Sequence, residues 1–93
     1  MTEPGGNDSR DAFRFPCRLP IKTVGDNRPG FAAEVAAVIH RHAVFDQDTD
    51  LTARASTLQR YLAVTVTIEA HSREQLEAIY RDLGALDAVH ITL

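Results

Sequence analysis

The ten residues from Tyr61 to Ala70, YLAVTVTIEA, alternate without a break. Leu62, Val64, Val66 and Ile68 fall on one side; Tyr61, Ala63, Thr65, Thr67 and Glu69 fall on the other. A period of two with so many β-branched residues is the pattern of a long strand with one buried face. The cover for that face has to come from the rest of a chain of 93 residues. A chain of this size buries roughly 60 to 70% of its unfolded surface, enough for one core and too little for two domains. A hydrophobic fraction of 44% and a charged fraction of 25% suit one ordinary globular domain.

The remaining elements follow from the same periodicities. Residues 1–12, MTEPGGNDSRDA, have no apolar period and read as a loose tail before a single domain over 13–93. Phe15, Cys17, Leu19 and Ile21 lie two apart and predict a first strand, β1, between Phe13 and Val24. Pro20 donates no ladder hydrogen bond, so pairing should start at Ile21 or a bulge should intervene. Phe31, Val35, Val38, Ile39 and His42 recur at helical spacing and predict α1, with Asn27 as N-cap, Pro29 in the first turn and an end near His42. VFDQDTD is a connection. LTARAST, 51–57, predicts a short β2, joined by a hairpin to the long strand, β3. Ser72 and Gln75 form a capping box ahead of Leu76, Ile79, Tyr80 and Leu83, which predicts α2 with Gly84 as its C-terminal cap. AVHITL predicts β4 with Val89, Ile91 and Leu93 on one face. The order βαββαβ is that of the ferredoxin-like split βαβ class of α+β folds. Two helices cover one face of a four-stranded antiparallel sheet, and the other face stays open.

Most chemistries are poorly served by these residues. Cys17 is the only cysteine, which excludes an internal disulfide and any multi-cysteine metal site. His40 and His42, two apart on a helix, point about 200° away from each other and cannot grip one metal ion. His71 and His90 receive no role. Asp46, Asp48 and Asp50 resemble part of a calcium loop, but Leu51 and Thr57 stand where glycine and glutamate are required, so the segment reads as a solvated turn. Only Tyr61 could stack a base on the open face, and a net charge of −3 disfavours nucleic acid. No nucleophile and base occur at a recognisable spacing. No stretch approaches the roughly 18 apolar residues of a membrane helix, and Met1 to Arg10 lack a leader's apolar run. These observations predict a cytoplasmic, non-enzymatic protein with no cofactor and no metal.

One corner stands out. In VGDNRPGF a strand ends and a helix opens, so first-turn N–H groups face outward and Gly30 admits close approach to the backbone. A well-capped helix start explains the same residues. Asn27-Arg28-Pro29-Gly30-Phe31, followed by AAEVAAVI, resembles the motif of ACT domains, βαββαβ modules that sense amino acids and other small effectors. That resemblance implies effector contacts from Asn27, Arg28, Gly30 and Phe31.

A second resemblance spans nearly the whole chain. Phe15-Pro16, Lys22, Gly25, Arg41-His42, Tyr61, the VTVT run at Val64 to Thr67, the SREQL run at Ser72 to Leu76, Tyr80 and Leu93 are similar in order to the YbeD-like family of small bacterial proteins. It implies an ACT-like fold, a regulatory role connected in some members with lipoate metabolism, and no catalytic residues. Ser56, Thr57, Leu58 and Gln59 stand where that family carries a Ser-Ser-Lys-Gly-like hairpin. Two readings follow. One is a sensor of an amino acid or related carboxylate at Asn27 to Phe31. The other is an interaction module, homodimeric or bound to a protein partner, that uses Lys22, Ala63, Thr65 and Thr67 on the open face.

Overall fold

The structure, a computed structural model, describes residues 14–93; the tail expected at 1–12 lies outside the described residues. The observed elements are β1 (Cys17–Asp26), α1 (Phe31–His40), β2 (Leu51–Ala55), β3 (Tyr61–Ala70), α2 (Arg73–Gly84) and β4 (Val89–Thr92). They form one antiparallel sheet in the order β2-β3-β1-β4. Both helices lie on the same face, which is the split βαβ arrangement. No helix among the described residues is long and apolar enough to cross a membrane.

β1 and β3 pair over their full length, from Cys17 opposite Ala70 to Asp26 opposite Tyr61. Pro20 sits in mid-strand, opposite Thr67, with neither of the two expected devices. The reason is direction. The Thr67 amide turns away from β1 to Asp50 O, 2.9 Å distant, so Pro20 and Thr67 form a pair without mutual hydrogen bonds. The Pro20 nitrogen therefore faces the β4 side, beyond the last β1–β4 pair, Lys22 with Leu93. No ladder bond is lost.

The bulge lies elsewhere. Val24 opposes Ile91 and Gly25 opposes Val89, so His90 is the extra residue in β4. This overturns the expected common face of β4. Val89 packs on the core, whereas Ile91 and Leu93 lie beside Val24 and Lys22 on the uncovered face.

The core is built from Ile21 of β1, Val64, Val66 and Ile68 of β3, Phe31, Val35 and Ile39 of α1, and Ile79 and Leu83 of α2, all fully buried. Burying each such side chain contributes roughly 1.5–3 kcal/mol. α1 is capped by Gly30 at φ 86°, without a side-chain cap, and not by Asn27; Pro29 precedes the helix. The left-handed turn supplies the sharp entry that drops Phe31 straight into the core. Phe31 in turn fixes Gly25, because a Cβ there would strike the Phe31 ring and the Ala88 carbonyl. At α2, Ser72 Oγ accepts from Gln75 N at 3.1 Å as expected. The Gln75 side chain accepts from His71 N and donates to His42 O at 2.9 Å, tying the α2 start to the end of α1. His42 Nε2 donates to Asp82 Oδ2 at 2.7 Å from the same corner. Gly84 is the last residue of α2 and not a left-handed cap; Ala85 follows in right-handed conformation.

The β2–β3 hairpin turns through Gln59 at φ 61°. This chain therefore holds a side chain in a region costing roughly 1–2 kcal/mol for non-glycine residues.

Three stability outcomes follow from this geometry. Gly25→Ala should lower unfolding stability by about 1–3 kcal/mol, whereas Gly84→Ala, with open space around its Cβ, should leave it unchanged or raise it by up to about 1 kcal/mol. Gln59→Gly should raise stability by about 0.5–1 kcal/mol, since relief of the left-handed strain exceeds the added chain entropy. Urea unfolding midpoints check all three.

Candidate functional site

The strand-to-helix corner is largely self-occupied. Asn27 Nδ2 donates to Gln59 O at 2.9 Å, which clips the corner to the β2–β3 hairpin. Arg28 reaches Glu34 Oε1 at 3.4 Å. Phe31 is fully buried, and Gly30 is exposed with nothing near its Cβ position. Of the four residues assigned to a ligand, three are exposed around the turn and the fourth is in the core.

The second set lies together. Alternation along β1 and β3 places Lys22, Thr65, Thr67 and Ala63 on the face away from the helices, with Lys22 directly opposite Thr65 and Pro20 opposite Thr67. Pairing extends this into rows across the sheet. One row runs Thr52, Thr65, Lys22, Leu93; the next runs Arg54, Ala63, Val24, Ile91. Lys22 and Arg54 are exposed, the threonines of β3 half-buried.

Each end of the face is closed by a side-chain bond to a carboxylate. At one end Arg18 reaches across to Asp50 Oδ1 at 2.8 Å. The Asp46 amide, donating to Asp50 Oδ2 at 2.9 Å, together with that guanidinium, holds the Asp50 carboxyl below the usual carboxylate range. The turn before β2 is thus built from its own aspartates, since Asp46 Oδ1 also accepts from the Asp48 and Thr49 amides. Among the described residues no three His, Cys, Asp or Glu side chains gather as a metal cage. At the other end His90 Nε2 donates to Asp26 Oδ1 at 2.7 Å, and its ring meets Tyr61 edge-on at 5.4 Å between centroids. Between Tyr61 and Arg54 a shallow depression of about 190 Å³ opens over Val24 and Ala63.

Sequence reasoning gave His90 no role, and no local signal could have supplied one. Asp26 and His90 are 64 residues apart, and only the bulge in β4 turns the ring toward Tyr61. Arg54 was equally silent within a five-residue strand. His40, outside this face, stacks on Phe45 at 3.9 Å.

A family model described as "Protein of unknown function (DUF493)" matches residues 10–93. The chain belongs to the DUF493 family. Its relatives are bacterial: the UPF0250 protein of Azotobacter vinelandii is 48% identical over 82 residues, covering 87% of this chain and 89% of the relative. A UPF0250 protein of Pseudomonas aeruginosa is 46% identical over 83 residues, covering 87% and 88%. This is the YbeD-like resemblance read from the sequence. Among solved structures, the ACT domain from the GTP pyrophosphokinase of Chlorobium tepidum superposes with a TM-score of 0.67 at 14% identity, over 83% of each chain. Protein HP0495 from H. pylori gives 0.69 at 16% identity, over 96% of this chain and 98% of that one. DUF493 therefore has an ACT-like α+β fold.

The electrostatics of this DUF493 chain set its acid behaviour. Asp82, like Asp50, is held below its ordinary value of 3.8, chiefly by the bond from His42 and further by Arg81 beside it. A carboxyl depressed in the folded state contributes stability that is present above the unfolded pKa and lost as pH falls through the folded one. Stability should therefore hold above about pH 5 and decline below about pH 4. Asp50→Asn with Asp82→Asn should flatten that decline in urea midpoints measured from neutral to acid pH; an unchanged slope would assign it to other groups.

Proposed function

We propose that this DUF493 chain is a non-enzymatic regulatory module that acts by docking a protein partner on the uncovered face of its sheet. The observation that carries the reading is the placement of apolar surface. Tyr61, Ile91 and Leu93 stand 38%, 50% and 60% exposed on a face that no helix covers. Antiparallel sheets tolerate water on one side through polar residues, and large apolar side chains there favour a partner. The fold supports the regulatory part, being shared with an ACT domain carried within a larger enzyme, GTP pyrophosphokinase.

A second reading, a sensor of an amino acid or similar carboxylate at Asn27, Arg28, Gly30 and Phe31, draws support from the exposed start of α1. It has to displace bonds that Asn27 and Arg28 already make, and it cannot use the Phe31 ring without opening the core.

A photo-crosslinking residue at Thr65, in the chain expressed in its own cells, should give a discrete protein adduct that Lys22→Glu weakens, while the same group at exposed Glu77 on α2 should not. Titration with amino acids should leave the amides of Asn27 to Phe31 unmoved. Equal adducts from both positions would count against the sheet face, and saturable amino-acid shifts at Asn27 to Phe31 would favour the sensor.

A further inference from the structure

The charges on the uncovered face are unevenly paired. Its three carboxylates are each engaged: Asp50 with Arg18, Asp26 with His90, and Glu69 with His71 at 3.5 Å. Arg18, Arg28, Arg41 and Arg81 are likewise held in ion pairs. Lys22 and Arg54, in adjacent rows at the centre of the face, have no anionic partner among the described residues. Among the described residues these two cations thus form a positive centre with no carboxylate in contact, on the sheet face opposite the helices.

The apolar surface lies to one side of that centre. Val24, Ile91 and Leu93 form a strip toward β4, while Arg54 and the Tyr61 depression lie toward β2 and β3. Four strands at about 4.8 Å spacing span about 14 Å. A helix with its side chains is about 10–12 Å across and fills that width.

Building on the docking role proposed above, we infer that the partner is an acidic amphipathic helix of another protein. Its apolar stripe lies on Val24, Ile91 and Leu93, one apolar side chain enters the depression between Val24, Ala63 and Tyr61, and its carboxylates face Lys22 and Arg54. Tyrosine and arginine flanking a pocket are the residue types that dominate binding energy at interfaces. A second copy of this chain is the poorer occupant face to face, because two-fold pairing brings Lys22 and Arg54 toward their own counterparts. Nucleic acid is poorer too: Tyr61 is the only aromatic ring of β3 on this face, and it is engaged with His90.

The test is an NMR amide titration of the full chain with a synthetic peptide of about 18 residues, roughly five helical turns, carrying a leucine stripe flanked by glutamates. Two control peptides replace every glutamate by lysine or scramble the order, and a single-stranded RNA oligomer is the third control. Saturable shifts centred on Lys22, Arg54, Thr65 and Leu93 are expected with the acidic peptide, weakened by high salt and at least tenfold by Lys22→Glu with Arg54→Glu. Salt dependence in the unmodified chain serves where the charge-reversed protein does not fold. Equal binding of the lysine or scrambled peptide to these amides would overturn the acidic helix while leaving the docking face in place. Preferential binding of the RNA would overturn a protein partner. A face silent to every probe would overturn this inference, while the docking role on which it rests is decided separately by the cross-link at Thr65.

Discussion

The ten-residue pairing of β1 with β3 is the constraint on which everything else depends. It joins the two central strands without a bulge, from Cys17 opposite Ala70 to Asp26 opposite Tyr61. Side chains alternate strictly along such a pair, so one register decides at once which residues form the core and which form the outer face. A slip of β1 by one residue against β3 would send Lys22 inward among Val64 and Val66 and turn Ile21 out to the other face. The burial of three aliphatic side chains and the solvation of an ammonium group therefore lock the same geometry from opposite sides.

Much of this was legible because it is periodic. The boundaries of β3 follow directly from its alternation, the Ser72–Gln75 cap from its spacing, and the order βαββαβ from the succession of the two periods. What escaped was non-local. Pro20 is tolerated because the Thr67 amide opposite it turns away to Asp50, a partner at the approach to another strand. Ile91 and Leu93 continue the phase of Val89 in sequence and reverse it in space, because one extra residue, His90, enters the ladder. The sequence-based face of β4 failed at the bulge, and the apolar strip of the candidate surface is the result. Asp26 with His90 and the isolation of Lys22 and Arg54 are likewise products of pairing, with no trace in local spacing.

The ACT-like corner shows how one motif can satisfy two demands. Gly30 occupies φ 86° at the entry to α1, where a side chain would add strain, and Phe31 fills the space that Gly25 leaves open. Glycine followed by a large apolar residue is thus required by a sharp strand-to-helix turn over a tightly packed core, before any ligand is considered. Asn27 adds a clip to the β2–β3 hairpin, and Arg28 an exposed ion pair worth little to stability.

The face opposite the helices poses the reverse problem. Its threonines suit water, Arg18 pairs with Asp50, and His90 donates a hydrogen bond to Asp26. None of these features calls for a partner. Three exposed apolar side chains and two cations with no anionic partner among the described residues do, because each would be relieved by contact with a surface of complementary type. The apolar strip supplies free energy without choosing a partner; the cations choose one by charge while adding less, since exposed pairs are worth about 1 kcal/mol or below. Affinity and selectivity on this surface therefore reside in different residues. The step that separates them is the bulge at His90, which adds Ile91 and Leu93 to a face whose charges were already set by β1 and β2.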